Sequence, residues 1–206
     1  MVAIIDYGVG NLFSLRSSFA AIGEEAEVTS DPERIRLADR VVLPGVGAFG
    51  DAADKLRETG LDALVKEEAS KGKPLLGICL GMQLLFEKSF EYGEHPGLGL
   101  LKGEIRPIAE RIPEGLKIPQ MGWNALKIVR ESPLLKYTRE GDYVYFVHSY
   151  SAVKCDDSLL AVTEYGADLT ACAGNGSVFG CQFHPEKSGE TGLRILKAFC
   201  ETEAGA

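Results

Sequence analysis

Three short, unbroken apolar runs constrain this chain most: Val2-Ala3-Ile4-Ile5, Val41-Val42-Leu43, and Leu75-Leu76 leading into Gly77-Ile78. A strand with one wet face alternates apolar and polar residues. A run without alternation is buried on both faces, as strands of a parallel sheet are. Helical periodicity lies between the runs. Leu12, Leu15, Phe19 and Ile22 recur on one face, with Asn11 expected to cap the helix and Gly23 to stop it. Glu27-Val28-Thr29 reads as a weak strand, and helical stretches near 51–59 and 61–71 precede the third run. Strands alternating with helices imply βαβ units, so the expected fold is α/β, an open and mostly parallel sheet flanked by helices. From Leu101 onward, alternating segments at 118–129, 143–153, 159–164 and 170–181 add antiparallel or mixed strands in the C-terminal half. An amphipathic helix over about 188–203 follows. No repeat or linker interrupts the pattern, so residues 1–206 are expected to form a single domain.

The third run ends in the segment of greatest chemical interest. Gly77-Ile78-Cys79-Leu80-Gly81 leads from a strand into the apolar-periodic Met82-Gln83-Leu84-Leu85-Phe86. That order predicts strand, sharp turn and helix, with a cysteine at the apex. A side chain at either glycine would collide with the neighbouring strand or helix. A helix N-terminus favours the thiolate there. Far downstream, Phe183-His184-Pro185-Glu186 offers an imidazole and, two residues on, a carboxylate to orient it. In extended chain such a pair shares a face. Cys79, His184 and Glu186 supply the parts of a catalytic triad. Pro44-Gly45-Val46-Gly47 ends a strand in the same half of the sheet, and its glycines let backbone N–H groups turn toward a developing oxyanion. The N–H of Leu80 is the second expected donor. The bland readings are a buried small cysteine and an ordinary Pro-Gly turn. The flanking glycines favour catalysis, since a buried strand gains nothing from them. Gly8-Val9-Gly10 is a weak start to a dinucleotide fingerprint, because Phe13 stands where the third glycine belongs. His148, in an apolar strand, reads most simply as a satisfied core residue.

Bulk properties exclude several classes. A net charge of -8 over 206 residues argues against non-specific nucleic-acid binding. Five cysteines, with no CxxC spacing and no histidine cluster, suit a reducing cytoplasm and favour neither a disulfide framework nor a metal site. No basic leader precedes the first strand, and no apolar stretch is expected to span a membrane.

Gly-x-Cys-x-Gly with a distant His-Pro-Glu resembles the class I (triad) glutamine amidotransferases. More specific segments are Ile5-Asp6-Tyr7-Gly8-Val9-Gly10-Asn11-Leu12, Leu43-Pro44-Gly45-Val46-Gly47-Ala48-Phe49 and Pro119-Gln120-Met121-Gly122-Trp123-Asn124. With Phe146-Val147-His148-Ser149-Tyr150 and Gln182-Phe183-His184-Pro185-Glu186-Lys187-Ser188, they resemble the glutaminase subunits of imidazole glycerol phosphate synthases from end to end. The resemblance implies an enzyme that needs no cofactor. It would hydrolyse glutamine to glutamate and ammonia and deliver the ammonia to a separate (β/α)8-barrel cyclase in histidine biosynthesis. It further implies that Cys79 is the nucleophile, His184 the base and acid, and Glu186 its orienter. Gly45, Val46 and Leu80 would line the oxyanion hole. Gly47, Gly81, Gln83, His148, Ser149 and Tyr150 would hold glutamine. Asn11, Pro119, Gln120, Met121, Trp123, Asn124 and Lys187 would face the cyclase. For Trp123, burial in the core is the competing expectation. Alternative readings are the glutaminase of an anthranilate, aminodeoxychorismate or pyridoxal phosphate synthase, a stand-alone cysteine hydrolase, and a non-enzymatic redox sensor or scaffold.

Overall fold

The first apolar run does not lie at an edge of the sheet but inside it, with a neighbour on each side. In the computed structural model, which describes residues 1–203, the N-terminal half comprises β1 (Val2–Ile5), α1 (Leu12–Ala21), β2 (Ala26–Thr29), α2 (Pro32–Leu37) and β3 (Arg40–Leu43). It continues with α3 (Phe49–Glu58), α4 (Leu61–Ser70), β4 (Leu75–Ile78) and α5 (Leu80–Leu84). Then come β5 (Phe86–Ser89), β6 (His95–Pro96), β7 (Leu101–Pro107), β8 (Gln120–Ile128), β9 (Tyr143–His148) and β10 (Tyr150–Val153). The chain closes with β11 (Leu159–Glu164), β12 (Asp168–Asn175), β13 (Val178–Cys181) and α6 (Gly189–Cys200).

Nine strands form one sheet in the order β2-β1-β3-β4-β13-β12-β11-β8-β9. Pairing is parallel from β2 through β13 and antiparallel from β13 to β9. A second sheet of four strands, β10-β7-β5-β6, was not foreseen from sequence. The unbroken apolar runs are explained by core on both faces. Val2 and Ile4 pack with Leu15 and Phe19 of α1 and Leu196 and Phe199 of α6. Ala3 and Ile5 pack on the other face with Leu56 of α3 and Leu64 of α4. Each buried aliphatic side chain contributes roughly 1.5–3 kcal/mol, which makes this double layer the main stabilising force.

Three expectations need correction, and one helix had no counterpart in the sequence reading. Asn11 occupies the N-cap position of α1, but its side chain makes no capping hydrogen bond. Helix α2 was missed, although its signals were present: Asp31 accepts from the Glu33 N–H at 2.9 Å, and Pro32 opens the first turn. The helix after Cys79 does not continue through Phe86, because Phe86 begins β5. Residues 143–153 are not one strand. β9 pairs with β8 in the large sheet and β10 with β7 in the small one, so Ser149 lies where the chain crosses between sheets. No helix among the described residues is long and apolar enough to cross a membrane.

Candidate active site

Cys79 links β4 to α5 with φ 54° and ψ -111°, a conformation that costs an L-residue free energy. The surroundings hold it there. A Cβ on Gly77 would lie 2.7 Å from Gly81 O, and one on Gly81 would lie 1.8 Å from Leu43 O, so neither position has room for a side chain. The Cys79 N–H donates to Cys181 O at 2.7 Å. Helix α5 has only five residues, so its dipole is weaker than a full helix would offer, and the neighbouring histidine is the more important partner of the sulfur.

That histidine arrives from the adjacent strand. β13 runs parallel to β4 with Cys181 opposite Ile78, so Cys79 and the segment 182–186 leave the sheet at the same end. His184 Nδ1 donates to Glu186 Oε1 at 2.8 Å, and both side chains are buried. The other ring nitrogen, Nε2, is buried without a hydrogen-bond partner, as is Glu186 Oε2. Burial disfavours the charged ring, but interactions with the Cys79 sulfur and the Glu186 carboxylate outweigh it and push the His184 pKa up to about 9. The pair therefore favours an imidazolium beside sulfur.

Cys79, Leu80 and His184 open into a cleft of about 310 Å³, walled also by Val46, Gly47, Gln83, Pro119 and the 147–150 segment. Gly45 sits behind this wall, where a Cβ would meet Gly81 N at 2.9 Å and Leu80 Cβ at 3.0 Å. The loop 44–47 is thus packed directly on the cysteine turn. Gly81 lies behind the turn and contributes by its smallness. Gln83 Nε2 donates to Tyr150 O at 3.2 Å and to Gln182 Oε1 at 3.0 Å. Both amide hydrogens are then engaged, which leaves the Gln83 oxygen to accept from a ligand.

His148 is buried as its context suggested and its ring also reaches the cleft, but a neutral imidazole carries one N–H and so donates to only one of the two oxygens beside it. Its ring nitrogens lie 2.8 Å from Tyr150 O and 2.9 Å from Gln120 Oε1. Burial, against the Tyr150 contact and with the help of His184, lowers its pKa to about 4 and keeps it neutral.

Three residues were given no role from sequence. Glu91 lines the cleft and accepts from the Phe49 N–H at 2.6 Å. Burial raises its pKa, opposed by that hydrogen bond. Gln182 donates to Cys79 Sγ at 3.8 Å. Tyr7 donates to Pro44 O at 2.7 Å beneath the 44–47 loop. Tyr7 and Gln182 stood inside quoted motifs, whereas Glu91 sits in a polar turn with no local signal.

The expected partner face divides. Met121 and Trp123 alternate outward along β8, 63% and 52% exposed, which removes the core reading of the tryptophan. Trp123 meets Tyr145 edge-on at 6.1 Å, and Lys187 Nζ lies 5.9 Å over the same ring, so these side chains form one surface strip. Pro119 is exposed at the cleft, while Asn11 and Asn124 are half-buried. Gln120 does not belong to that surface. It is fully buried, because strand alternation turns it inward onto His148.

Comparison with known proteins adds a family to this geometry. The family model "Glutamine amidotransferase class-I" matches residues 3–202. The imidazole glycerol phosphate synthase subunit HisH of Wolinella succinogenes is 52% identical over 203 residues, covering 98% of this chain and 99% of that protein. HisH of Lactococcus lactis is 51% identical, covering 97% and 98%. A solved glutamine amidotransferase superposes with a TM-score of 0.76 at 21% identity, covering 98% of both chains, a likeness of fold. A shared fold alone would leave the activity open, but half the residues are shared with the HisH proteins along nearly the whole length. The chain belongs to the class-I glutamine amidotransferases and, within them, to the HisH subunits of imidazole glycerol phosphate synthase.

Proposed function

We propose that the chain hydrolyses the side-chain amide of glutamine through Cys79, His184 and Glu186, and that it passes the ammonia to a (β/α)8-barrel cyclase. The observation that carries this reading is one juxtaposition. Cys79 stands on a strained, glycine-flanked turn, and His184, whose buried Nε2 has no protein partner, lines the same cleft. The Cys79 thiolate attacks the γ-carbonyl carbon. The resulting oxyanion accepts from the Leu80 N–H and from the 44–47 loop, where Gly45 and Val46 are the candidate donors. His184 gives its Nε2 proton to the departing nitrogen, ammonia leaves, and a thioester remains. Water, deprotonated by His184, then attacks the thioester and releases glutamate, returning the thiolate and imidazolium. Glu186 orients the ring throughout. The Gln83 oxygen and the Glu91 carboxylate suit an α-ammonium, while the Ser149 and Tyr150 backbone suits the α-carboxylate.

The strip of Met121, Trp123 and Lys187 is the proposed cyclase contact, with Pro119, Asn124 and Asn11 around it. The cyclase would use the ammonia to form imidazole glycerol phosphate and an aminoimidazole carboxamide ribonucleotide, in the cytoplasm. The test is glutamate release by the chain alone and with a barrel cyclase carrying its nucleotide ligand. Partner-dependent turnover of free glutamine is expected. Turnover of peptides or other amides, indifferent to the cyclase, would revive a stand-alone hydrolase.

A further inference from the structure

The hydroxyl of Tyr7 is buried beneath the candidate oxyanion loop, and its one hydrogen is engaged. It donates to Pro44 O at 2.7 Å, and a Cβ on Gly45 would approach it to 2.8 Å. The Pro44 carbonyl and the Gly45 N–H belong to one peptide unit, which is planar and trans. Its C=O and N–H therefore point in opposite directions, and a hydrogen bond that fixes one fixes the other. The next peptide unit, which carries the Val46 N–H, has no such restraint from Tyr7. Val46 is 43% exposed, and Gly47 has φ 100° with open space where a Cβ would stand.

We propose that Tyr7 is a positioning residue for glutamine hydrolysis: by holding the Pro44 carbonyl it sets the direction of the Gly45 N–H and confines rotation in the loop to the Val46 peptide. The proposal rests on the oxyanion reading of this loop given above. Tyr7 does not line the cleft, so it acts on the reaction only through the loop. Burial, reinforced by the nearby Cys79 sulfur, holds the phenol well above its usual range. It therefore remains a donor wherever the enzyme works.

The test is Tyr7→Phe, which deletes one oxygen, assayed in the complex with the cyclase partner. Three quantities are read: kcat and KM for glutamine, and the rate at which iodoacetamide alkylates Cys79. Alkylation displaces iodide at a saturated carbon and forms no oxyanion, so it reports the thiolate without the loop. Complete loss of an oxyanion donor costs ~10²–10³ in rate, and a loosened donor a fraction of that. The expected result is a fall in kcat of about tenfold or more, with KM and the alkylation rate changed by less than about twofold. An unchanged kcat overturns the proposal. So does a parallel loss in all three quantities, which would mark Tyr7 as structural support only. If a thermal melt shows Tyr7→Phe unfolded, Tyr7→Met is assayed at a temperature where it is folded, and the same kcat-only loss is required. Failure of the wild-type complex to release glutamate from glutamine would instead sink the glutaminase reading beneath it.

Discussion

The Cys79 N–H donates to the carbonyl of Cys181 at 2.7 Å, a backbone bond that joins the two halves of the candidate site. It extends the parallel pairing of β4 and β13 by one residue past the end of β4. The strand carrying Cys181 then delivers Gln182 and His184 directly to the cysteine. The relative position of nucleophile and base is thus set by sheet register rather than by a loop, which gives the site a rigid base.

Removal of the sulfur should silence glutamine chemistry but spare the scaffold. Cys79→Ala is expected to abolish glutamate release, while the complex still cyclises its nucleotide when supplied with free ammonia. His184→Ala should be comparably severe and Glu186→Gln milder, since the orienting group acts through the ring. Substantial glutamine-dependent turnover in Cys79→Ala would remove the nucleophile assignment.

The strained backbone at Cys79 predicts an inverted substitution order. Glycine normally destabilises relative to alanine, but at φ 54° and ψ -111° glycine adopts the conformation more cheaply. Cys79→Gly should therefore be more stable than Cys79→Ala, by about 1 kcal/mol. Urea unfolding of the two variants measures the difference, and the ordinary order would mean the turn is not strained.

The two buried histidines should titrate in opposite directions. The His184 pKa is raised to about 9, above the unfolded value of about 6.5. Its stabilising contribution is therefore complete below pH ~6.5 and is lost as pH rises through about 9. His148 is depressed to about 4, so its contribution is complete above pH ~6.5 and is lost as pH falls through about 4. NMR titration of the ring protons resolves the two. Cys79→Ala should lower the His184 value, because the interaction with sulfur that helps raise it is gone; an unmoved value would argue against that interaction.

The loop 44–47 is the place for a gate. A chain that makes ammonia for another site wastes glutamine when it works alone, so the isolated chain is expected to be nearly inactive, with the partner raising kcat more than affinity. Gly47 has φ 100°, which proline cannot adopt and alanine adopts only with strain. Gly47→Ala should therefore shift the loop and alter activation without changing Cys79 alkylation. Full-rate hydrolysis by the purified chain alone would end the gating hypothesis.

Trp123 is the sole tryptophan and lies half in solvent beside Tyr145. Its emission should shift to shorter wavelength when a tryptophan-free cyclase binds. Trp123→Ala should weaken association by about 2 kcal/mol or more, as interface aromatics do, while leaving the isolated fold near wild-type stability. Unchanged emission would place the partner elsewhere.

The legible parts of this protein were those written in short-range pattern. Unbroken apolar runs announced a parallel sheet because core on both faces tolerates no alternation, and Val2 to Ile5 do contact two separate cores. Gly77 and Gly81 announced the cysteine turn because no Cβ fits at either position. The two-residue spacing of His184 and Glu186 announced their hydrogen bond but not its geometry: the extended segment expected there is a single 3-10 turn, Pro185–Lys187, and the tight turn brings Glu186 back to the ring. Tertiary structure decided what no local window contains. The pairing of β13 with β4 brought distant segments into register and placed His184 beside Cys79. The turn from one sheet to the other at Ser149 broke an apparently continuous strand. Glu91 and Tyr7 acquired roles from neighbours far along the chain, Phe49 and Pro44. Gln120 turned inward and Trp123 outward along one strand, and which parity meets the core depends on what packs against the sheet. Periodicity is a property of a few consecutive residues, whereas a site is assembled from contacts whose free energy exists only after the chain has closed on itself.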